Sequence, residues 1–317
     1  ANAATTFRAS IGSKKYTTLQ KAVDAVKDGQ TIKVLKDYKT SKTVTIDKKG
    51  VSFTIDFNDK VHTYTGDDTA FSVNAGTVTI KNVTLKSNMR AFYIKSSAKL
   101  KITNGTYSGY WYNKGSLSIT NGTFNTKDTG KSSTDELIRN YKTLTISGGT
   151  FSASKDNLLE NCKNGKATIK GGTFKSTSSK YPLIKSVDGS TLKISKGTFK
   201  AKNMALDNYG DASITGGSFI STANNTVENS GTMTIEGGKF DVDSNNNIYS
   251  DPIVNYFYLF IYDGSFYGSL SNRVEDYGYT QIYGGTFRNY SDLLLNYYGN
   301  MYIDGGDFIA ENADALI

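Results

Sequence analysis

The 317-residue chain has few of the residue types on which many folds and active sites depend. Its one cysteine, Cys162, excludes a disulfide framework and is predicted to be a small buried residue. Its one histidine, His62, excludes a histidine-based triad and a multi-histidine metal site. No apolar run is long enough to span a membrane, and no hydrophobic signal segment is present. We therefore expect no metal, no cofactor and no membrane insertion.

Basic residues are scarce in the last third of the chain. Residues 206–317 contain 3 Lys and Arg against 15 Asp and Glu, whereas residues 1–205 contain 34 against 14. The first part therefore carries a charge of +20 and the second −12. A strongly basic surface is suited to an anionic polymer such as an acidic polysaccharide. The alternative is that the lysines only keep a long β-surface soluble.

The main feature of this sequence is a short repeated motif. An isoleucine, a glycine three residues later and an aromatic residue two places further on recur along the chain at intervals of 17 to 27 residues. The isoleucines are Ile102, Ile119, Ile146, Ile169, Ile194, Ile214, Ile235, Ile261, Ile282 and Ile303, with a degenerate copy at Ile80. A period in this range that tolerates insertions is typical of a solenoid whose loops vary while its strands are kept.

Each repeat predicts short strands and a tight corner. Alternating stretches such as Leu144-Thr145-Ile146 are typical of half-buried strands, and the glycine allows a turn with positive φ that directs the aromatic residue inward. An asparagine six to eight residues before the isoleucine is expected to be buried and to bond its own turn and the next coil. These asparagines are Asn113, Asn140, Asn161, Asn208, Asn229, Asn255 and Asn296. The pattern favours an all-β fold, a right-handed parallel β-helix.

The N-terminal segment predicts a cap on this solenoid. Thr17 and Gln20 resemble a capping box, an apolar stripe of Leu19, Val23 and Val26 follows, and Gly29 is expected to end the helix. We predict a single domain over residues 1–317, with a cap at about 1–30, coils over 31–309 and a tail over 310–317. No comparable cap follows Phe308, which suggests a segment of a longer protein.

Tyrosines replace the outward threonines and lysines of the predicted strands near the C-terminus. Stacked coils would place Tyr258 over Tyr279 and Tyr262 over Tyr283 on the solvent side. Flat aromatic faces bind sugar rings through their C–H groups, although packing against another segment would explain the same pattern. The candidate ligand-binding residues of this region, including two arginines that could pair with a carboxylate, are Tyr258, Phe260, Tyr262, Arg273, Tyr279, Tyr283, Arg288 and Tyr302.

A second candidate site combines aromatic rings with positive charge, the chemistry expected for binding an acidic sugar. It consists of Tyr110-Trp111-Tyr112 with Lys114, followed one coil later by Arg139, Tyr141 and Lys142; the candidate ligand-binding residues are Trp111, Lys114, Arg139, Tyr141 and Lys142. Trp111 lies two places before Asn113, where other coils have an inward aliphatic residue, so a core position is the alternative for Trp111. Lys114 and Tyr141 follow their asparagines and are expected to reach solvent.

With its capped helix, its stacked Ile-x-Gly-Gly-Thr-Phe coils and its asparagine ladder, the chain resembles the pectate-lyase-like β-helix superfamily. That superfamily includes polygalacturonases and pectate lyases. Only Asp67-Asp68 matches a polygalacturonase segment, and it is expected to be a solvated turn. Neither proline has the Arg-x-Pro-x-x-Arg setting of pectate lyases. We therefore expect no enzymatic activity.

Within that superfamily the chain is most similar to non-catalytic surface adhesins, especially the binding region of serine-rich-repeat adhesins from gut lactic-acid bacteria. The resemblance implies an extracellular module on a bacterial cell surface, with signal and anchor outside this segment. It implies binding to host or environmental glycans, with pectin-like uronate chains or mucin as candidates and no nucleic acid. The alternatives are a lyase or hydrolase acting on pectin-like polysaccharide, and a passive surface stalk.

Overall fold

The computed structural model describes residues 6–126, 136–243, 250–273, 278–290 and 292–311. Over these residues the chain is an all-β parallel β-solenoid of about 12 turns with a single short α-helix, which confirms the predicted class. It divides into two compact units. Unit 1 comprises Ala1–Ser132 and Leu137–Thr150, and unit 2 comprises Ser133–Glu136 and Phe151–Ile317.

Most coils contain three kinds of short strand, named here for the residue that recurs at the equivalent position in most coils; Arg90–Ile94 and Ile184–Ser186 occupy the asparagine position without an asparagine. The isoleucine strands are Ala98–Ile102, Ser116–Ile119, Thr143–Ile146, Lys166–Ile169, Thr191–Ile194, Asp211–Ile214, Tyr279–Ile282 and Asn300–Ile303. The aromatic strands are Thr106–Ser108, Thr123–Asn125, Thr150–Ala153, Thr173–Ser176, Thr198–Ala201, Ser218–Ser221, Thr286–Asn289 and Asp307–Ala310. The asparagine strands are Arg90–Ile94, Tyr110–Asn113, Ile138–Asn140, Leu159–Asn161, Ile184–Ser186, Leu206–Asn208, Val227–Asn229, Ile253–Asn255, Leu270–Arg273 and Leu294–Tyr298.

The remaining strands are longer or lie at the N-terminus. Thr232–Val242 and Tyr258–Tyr267 each contain an isoleucine segment and an aromatic segment without a break. The strands of the first coils are Ala9–Ile11, Lys14–Tyr16, Thr31–Val34, Tyr38–Thr40, Val44–Tyr64 and Thr69–Ser87. The strand predicted around residues 31–35 is Thr31–Val34, and the two strands predicted around 44–46 and 51–55 are parts of one strand, Val44–Tyr64.

Equivalent residues of successive coils lie side by side within each unit. In unit 1, Leu117 pairs with Leu100 and Leu144, and in unit 2, Ile194 pairs with Ile214 in parallel register. The repeated phenylalanines of unit 2, from Phe151 to Phe308, stack with ring centroids 4.6–5.1 Å apart and ring planes within 10° of parallel. A one-residue slip would expose every buried side chain of a strand, so the periodic core sets the register.

The repeated glycines make the corner between the isoleucine and aromatic segments. Their φ angles range from 105° at Gly285 to 138° at Gly264, a region that other residues adopt only with strain. At Gly217 a Cβ atom would lie 3.3 Å from the carbonyl oxygen of Gly197 and 3.3 Å from the Phe219 ring. Glycine is therefore required both for the turn and for the close approach of neighbouring coils.

Buried asparagines bond one coil to the next, as predicted. In unit 2 the Asn208 side-chain amide donates to Asn229 Oδ1 at 2.8 Å, and Asn229 donates to Asn255 Oδ1 at 2.8 Å. Asn255 donates to Asn272 Oδ1 at 3.1 Å, and Asn272 donates to Asn296 Oδ1 at 2.9 Å. Asn296 joins the ladder but is exposed, so its predicted burial is wrong. In unit 1 an equivalent bond of 2.7 Å joins Asn113 to Asn140, in a separate ladder. The position of Asn272 in the ladder was not predicted, because its spacing to the next isoleucine exceeds that of the others.

A second, shorter amide ladder occurs at a corner of unit 1 and was not predicted. The Asn82 side-chain amide donates to Asp56 Oδ1 at 2.9 Å, and the Asn104 amide donates to Asn82 Oδ1 at 2.8 Å. Asn82 has a φ of 54°, in the left-handed region that asparagine tolerates better than most residues. In the Asn82 coil, where Val83 stands in place of the repeated glycine, asparagine makes the corner; in the next coil Asn104 lies beside Gly105, which keeps its positive φ.

The single helix spans Leu19–Ala25, and its position differs by one residue from the predicted capping box. Thr18, not Thr17, is the N-cap, because its side chain accepts the backbone N–H of Lys21 at 3.1 Å. Gln20 is not part of a box. Its side chain accepts the Thr45 N–H at 2.7 Å and donates to the Thr45 carbonyl at 2.8 Å, which joins the helix to the strand Val44–Tyr64.

The C-terminal end of the helix was also predicted wrongly. The helix ends before Gly29, with Val26 as C-cap. Gly29 has a φ of 74°, and its N–H donates to the Ser52 carbonyl at 2.7 Å. The apolar stripe is confirmed, since Leu19, Val23 and Val26 are buried.

His62 is buried without a hydrogen bond. Its ring is 1 % exposed, neither ring nitrogen has a partner, and it lies among Tyr38, Phe57 and Phe71 at centroid distances of 5.0–6.0 Å. This apolar surrounding disfavours the charged imidazolium and lowers the pKa of His62 from 6.5 to about 4.

We expect replacement of one ladder asparagine to destabilise unit 2. Asn229→Ala removes the bonds to Asn208 and Asn255 and leaves the Gly231 N–H, which Asn229 Oδ1 accepts, without that partner. The free energy of unfolding should fall by about 3 kcal/mol, measured by denaturant titration with far-UV circular dichroism. The control Thr234→Ser, at a half-exposed position, should change it by less than about 0.5 kcal/mol. An equal effect of both variants would contradict the role of the ladder.

We expect unit 1 to lose stability as the pH falls from about 6.5 to about 4. Unfolded chains take up a proton on His62 in this range and the buried ring does not, so stability is highest above pH 6.5 and falls by up to about 3 kcal/mol. Fluorescence of Trp111, the only tryptophan of the chain and buried in unit 1, follows this unfolding. His62→Leu should abolish that pH dependence, whereas Thr63→Ser should retain it. A pH dependence that persists in His62→Leu would assign it to other groups.

Candidate functional site

Three asparagine strands of unit 1 present aromatic and basic side chains on one face. In parallel register, Tyr93 of Arg90–Ile94 pairs with Tyr112 of Tyr110–Asn113, and Tyr112 pairs with Arg139 of Ile138–Asn140. The alternate residues Phe92, Trp111 and Ile138 are fully buried. Because side chains alternate along a strand, burial of one set places the other set outside.

Arg90 lies at the centre of this group. Its guanidinium carbon is 4.4 Å from the ring centroid of Tyr112, 5.2 Å from that of Tyr93 and 5.9 Å from that of Tyr110. One terminal nitrogen is 3.4 Å from Asp68 Oδ1, and that carboxylate is 74 % exposed. Arg90 is thus oriented by three aromatic rings and only weakly neutralised by a solvated acid.

Two further cations lie beside the same rings. Arg139 donates to the Tyr112 hydroxyl at 3.0 Å, and its guanidinium carbon is 5.2 Å from the Tyr112 ring. Lys114 Nζ is 5.8 Å from the Tyr93 ring and 5.5 Å from the Tyr141 ring. We call the whole group the cationic tyrosine cluster; its members are Arg90, Tyr93, Tyr110, Tyr112, Lys114, Arg139 and Tyr141.

The structure brings together most of the predicted residues of this region. Lys114, Arg139 and Tyr141 are in the cluster, but Trp111 is fully buried against Phe92, with ring centroids 4.3 Å apart. Trp111 therefore cannot contact a ligand, because its outward neighbours Tyr110 and Tyr112 hold the surface positions. The Lys142 ammonium donates to the Ser96 carbonyl at 2.8 Å and lies at the margin. Sequence reasoning missed Arg90 and Tyr93, whose coil lacks the asparagine.

Unit 2 presents an aromatic face on three successive isoleucine segments. Tyr258 pairs with Tyr279 in register, as predicted, and their ring centroids are 6.2 Å apart. Tyr262 and Tyr283 stack at 4.7 Å with ring planes 10° apart, and Tyr279 lies 5.4 Å from Tyr302. We call this surface the tyrosine platform; it consists of Tyr258, Phe260, Tyr262, Tyr279, Tyr283 and Tyr302.

Neither predicted arginine belongs to the tyrosine platform. Arg273 ends an asparagine strand, where one terminal nitrogen is 3.7 Å from Asp251 Oδ2 and the guanidinium lies 5.5 Å from the Tyr297 ring centroid. Arg288 lies on the aromatic strand Thr286–Asn289, in register with Tyr267. Both arginines are close to the platform tyrosines in sequence, but they lie on other strands and not on the face formed by the isoleucine segments.

A column of charged side chains on the asparagine strands of unit 2 was not predicted. Glu160 pairs with Lys185, Lys185 with Asp207, and Asp207 with Glu228. Asp207 is 7 % exposed, and burial, followed by the charge of Glu228, raises the pKa of its carboxyl to about 6. Lys185 and the hydroxyl of Tyr209 oppose this shift. The alignment of the coils in sequence could have indicated that these four residues are neighbours. The burial of Asp207, which raises the pKa of its carboxyl, is visible only in the structure.

A second buried carboxylate lies close to Arg273. Asp251 accepts a short hydrogen bond from the Ser271 hydroxyl, and burial raises its pKa although Ser271 and Arg273 favour the ionised form. Asp251 and Arg273 are therefore partners of each other, which reduces the positive charge that Arg273 offers to a ligand.

Comparison with protein-family models, curated proteins and solved structures gives no match. Within the described ranges, no group of three or more His, Cys, Asp or Glu side chains is arranged to hold a metal ion. The one helix in the described part of the chain has seven residues, and it is not long and apolar enough to cross a membrane. Function must therefore be argued from the two surfaces themselves.

We expect Asp207→Asn to stabilise unit 2 above pH 6. The pKa of the Asp207 carboxyl is about 3.8 in the unfolded chain and about 6 in the folded one, so the folded state holds its proton more tightly. The stability that this carboxyl contributes is fully present below pH 3.8 and is lost as the pH rises through about 6. At pH 7.5 the variant should exceed the wild type by about 1–3 kcal/mol in free energy of unfolding, and at pH 4 this gain should disappear. The exposed neighbour Asp211, changed to Asn, is the control and should give no such difference. A wild type more stable than Asp207→Asn at pH 7.5 would contradict the interpretation.

Proposed function

We propose that this protein is a bacterial cell-surface adhesin module that binds acidic glycans, either pectin-like uronate chains or mucin, through the cationic tyrosine cluster. The observation that carries the proposal is the Arg90 guanidinium within 6 Å of three tyrosine rings, with Arg139 and Lys114 beside the same rings. Such a surface offers cationic groups for the carboxylate of an acidic sugar and aromatic rings for its C–H groups.

The two kinds of side chain act on different parts of the ligand. A guanidinium binds a carboxylate with two parallel hydrogen bonds, and it keeps its charge at every physiological pH. Tyrosine faces pack on the C–H groups of a sugar ring, and their hydroxyls bond to sugar hydroxyls. Arg90 supports this role because its side chain is still 22 % exposed, and its ion-pair partner among the described residues is the solvated Asp68 carboxylate at 3.4 Å.

The surrounding charge supports an anionic ligand. Residues 1–205 carry 34 Lys and Arg against 14 Asp and Glu, so a uronate chain approaches a positive surface. Exposed charges interact over about 8–10 Å at ordinary salt, which makes the attraction sensitive to ionic strength.

The finer structural and biological assignments are part of the same proposal. We propose that the solenoid is right-handed, that the helix Leu19–Ala25 covers the first coil, and that the fold is of the pectate-lyase-like type. We also propose that the module is extracellular and non-catalytic, as in serine-rich-repeat adhesins. The fold assignments are supported by the coil motifs, and the position of the helix by its hydrogen bonds to the strand Val44–Tyr64. The extracellular and non-catalytic assignments rest on the resemblance to those adhesins.

Two alternative functions, an enzyme and a passive stalk, predict different results with polygalacturonate. A lyase or hydrolase would release unsaturated products or new reducing ends from polygalacturonate. A passive stalk would bind no glycan, and substitutions in the cluster would leave adhesion unchanged. Binding without product formation supports the adhesin.

We expect the purified protein to bind polygalacturonate oligomers, measured by isothermal titration calorimetry at pH 7. Arg90→Gln should raise the dissociation constant at least about tenfold, because it removes a charge-assisted contact of about 1.5–3 kcal/mol. Tyr112→Ser should weaken binding by a similar factor. Raising NaCl from about 50 to about 300 mM should weaken binding by the wild type more than by Arg90→Gln.

Lys99→Gln is the matched control for charge. Lys99 is exposed on the isoleucine strand Ala98–Ile102, outside the cluster, and its loss also lowers the net charge by one. If Lys99→Gln weakened binding as much as Arg90→Gln, the attraction would be general and the proposed site wrong. Absence of binding in wild type at low salt would reject the function itself.

A further inference from the structure

We propose that the tyrosine platform is a second carbohydrate site, which takes an uncharged polysaccharide rather than the acidic glycan assigned to the cationic tyrosine cluster. The inference goes beyond the proposed function, because it assigns a different ligand class to a different unit. It rests on the exposure, the charge and the spacing of the platform.

The platform exposes ring area that the fold itself does not use. Tyr258, Tyr262, Tyr283 and Tyr302 are 39–51 % exposed, whereas the aromatic residues that the repeat directs inward, such as Phe266 and Phe287, are at most 1 % exposed. Tyr262 and Tyr283 stack face to face, so each ring covers one face of the other and their exposed edges and hydroxyls form one strip over two coils. A cluster of partly exposed aromatic side chains of this kind marks an interaction surface.

The charge of the platform excludes an anionic ligand. Among the described outward residues of its strands and their corners there is no Lys or Arg, and Glu236, Asp263 and Asp304 are exposed at its border. Gln281, between Tyr279 and Tyr283, donates to Asp304 Oδ2 at 2.7 Å and accepts from the Tyr279 hydroxyl at 2.5 Å. A uronate would be repelled by these carboxylates, whereas the hydroxyls of a neutral sugar can donate to them.

Coil spacing matches a polymer better than a single sugar. Parallel strands are about 4.8 Å apart, which is similar to the length of one pyranose residue in an extended chain. Tyr258 and Tyr279 form one row along the stacking direction, and Tyr262 and Tyr283 form a second. A chain laid along either row would meet the ring edge and hydroxyl of one tyrosine in each of two successive coils. Tyr302, in register with Gln281, adds a third coil's tyrosine between the two rows.

The test is calorimetric titration of the full chain with hexamers of cellulose, xylan, mannan and N-acetylchitin. We expect at least one to bind, and we expect Tyr262→Ser and Tyr279→Ser each to weaken it about five- to tenfold. Tyr209→Ser is the matched control and should leave binding unchanged. Tyr209 is an exposed tyrosine of unit 2 that follows the asparagine strand Leu206–Asn208, outside the platform.

Polygalacturonate oligomers distinguish this proposal from the first one. Their binding should be unaffected by Tyr262→Ser and reduced by Arg90→Gln, and the neutral hexamer should show the reverse. Binding of no neutral hexamer, binding only of the cationic chitosan hexamer, or loss of polygalacturonate binding in Tyr262→Ser would each overturn the inference. Self-association of the wild type that Tyr262→Ser abolishes, measured by light scattering, would also overturn it, because a second copy would then be the occupant.

Discussion

Register between successive coils is the constraint on which the rest of this structure depends. The Asn208 to Asn229 to Asn255 amide bonds and the stacked phenylalanine rings of unit 2 are satisfied only when each coil lies directly on its neighbour. A buried amide without its partner costs more than an ordinary hydrogen bond contributes, so a slipped coil is strongly disfavoured. The glycine corners allow this close approach, because a Cβ atom there would meet the backbone of the preceding coil.

The same register turns short sequence features into surfaces. Tyr93 and Tyr112 are 19 residues apart in sequence and adjacent in space, as are Tyr262 and Tyr283. A side chain repeated at the same outward position of two or three coils therefore forms a row without any change in the core. This arrangement permits one scaffold to carry a cationic aromatic surface in unit 1 and an anion-bordered aromatic surface in unit 2.

Burial within the stack also separates titratable groups by their surroundings. His62 has a lowered pKa because it lies among aromatic rings without a partner, and Asp207 has a raised pKa because it is buried beside Glu228. The two groups respond to pH in opposite directions, His62 in unit 1 weakening the fold in acid and Asp207 in unit 2 weakening it above pH 6. The contributions of these two groups to stability therefore change with pH in opposite senses in the two units.

Local sequence determined the repeat, the all-β class, the buried asparagines and the tyrosine rows, because strand periodicity and glycine corners are properties of a few neighbouring residues. It also indicated a helix near Leu19, but placed its N-cap at Thr17, since adjacent threonines offer the same side chain and only the hydrogen bond to Lys21 distinguishes Thr18. Tertiary structure alone decided that Trp111 is core, that Arg90 joins the tyrosines, that Arg273 pairs with Asp251 and that Asp207 is buried. The reason is physical: exposure and charge pairing depend on which coils become neighbours and on how long each intervening loop is, and neither is encoded within a single repeat.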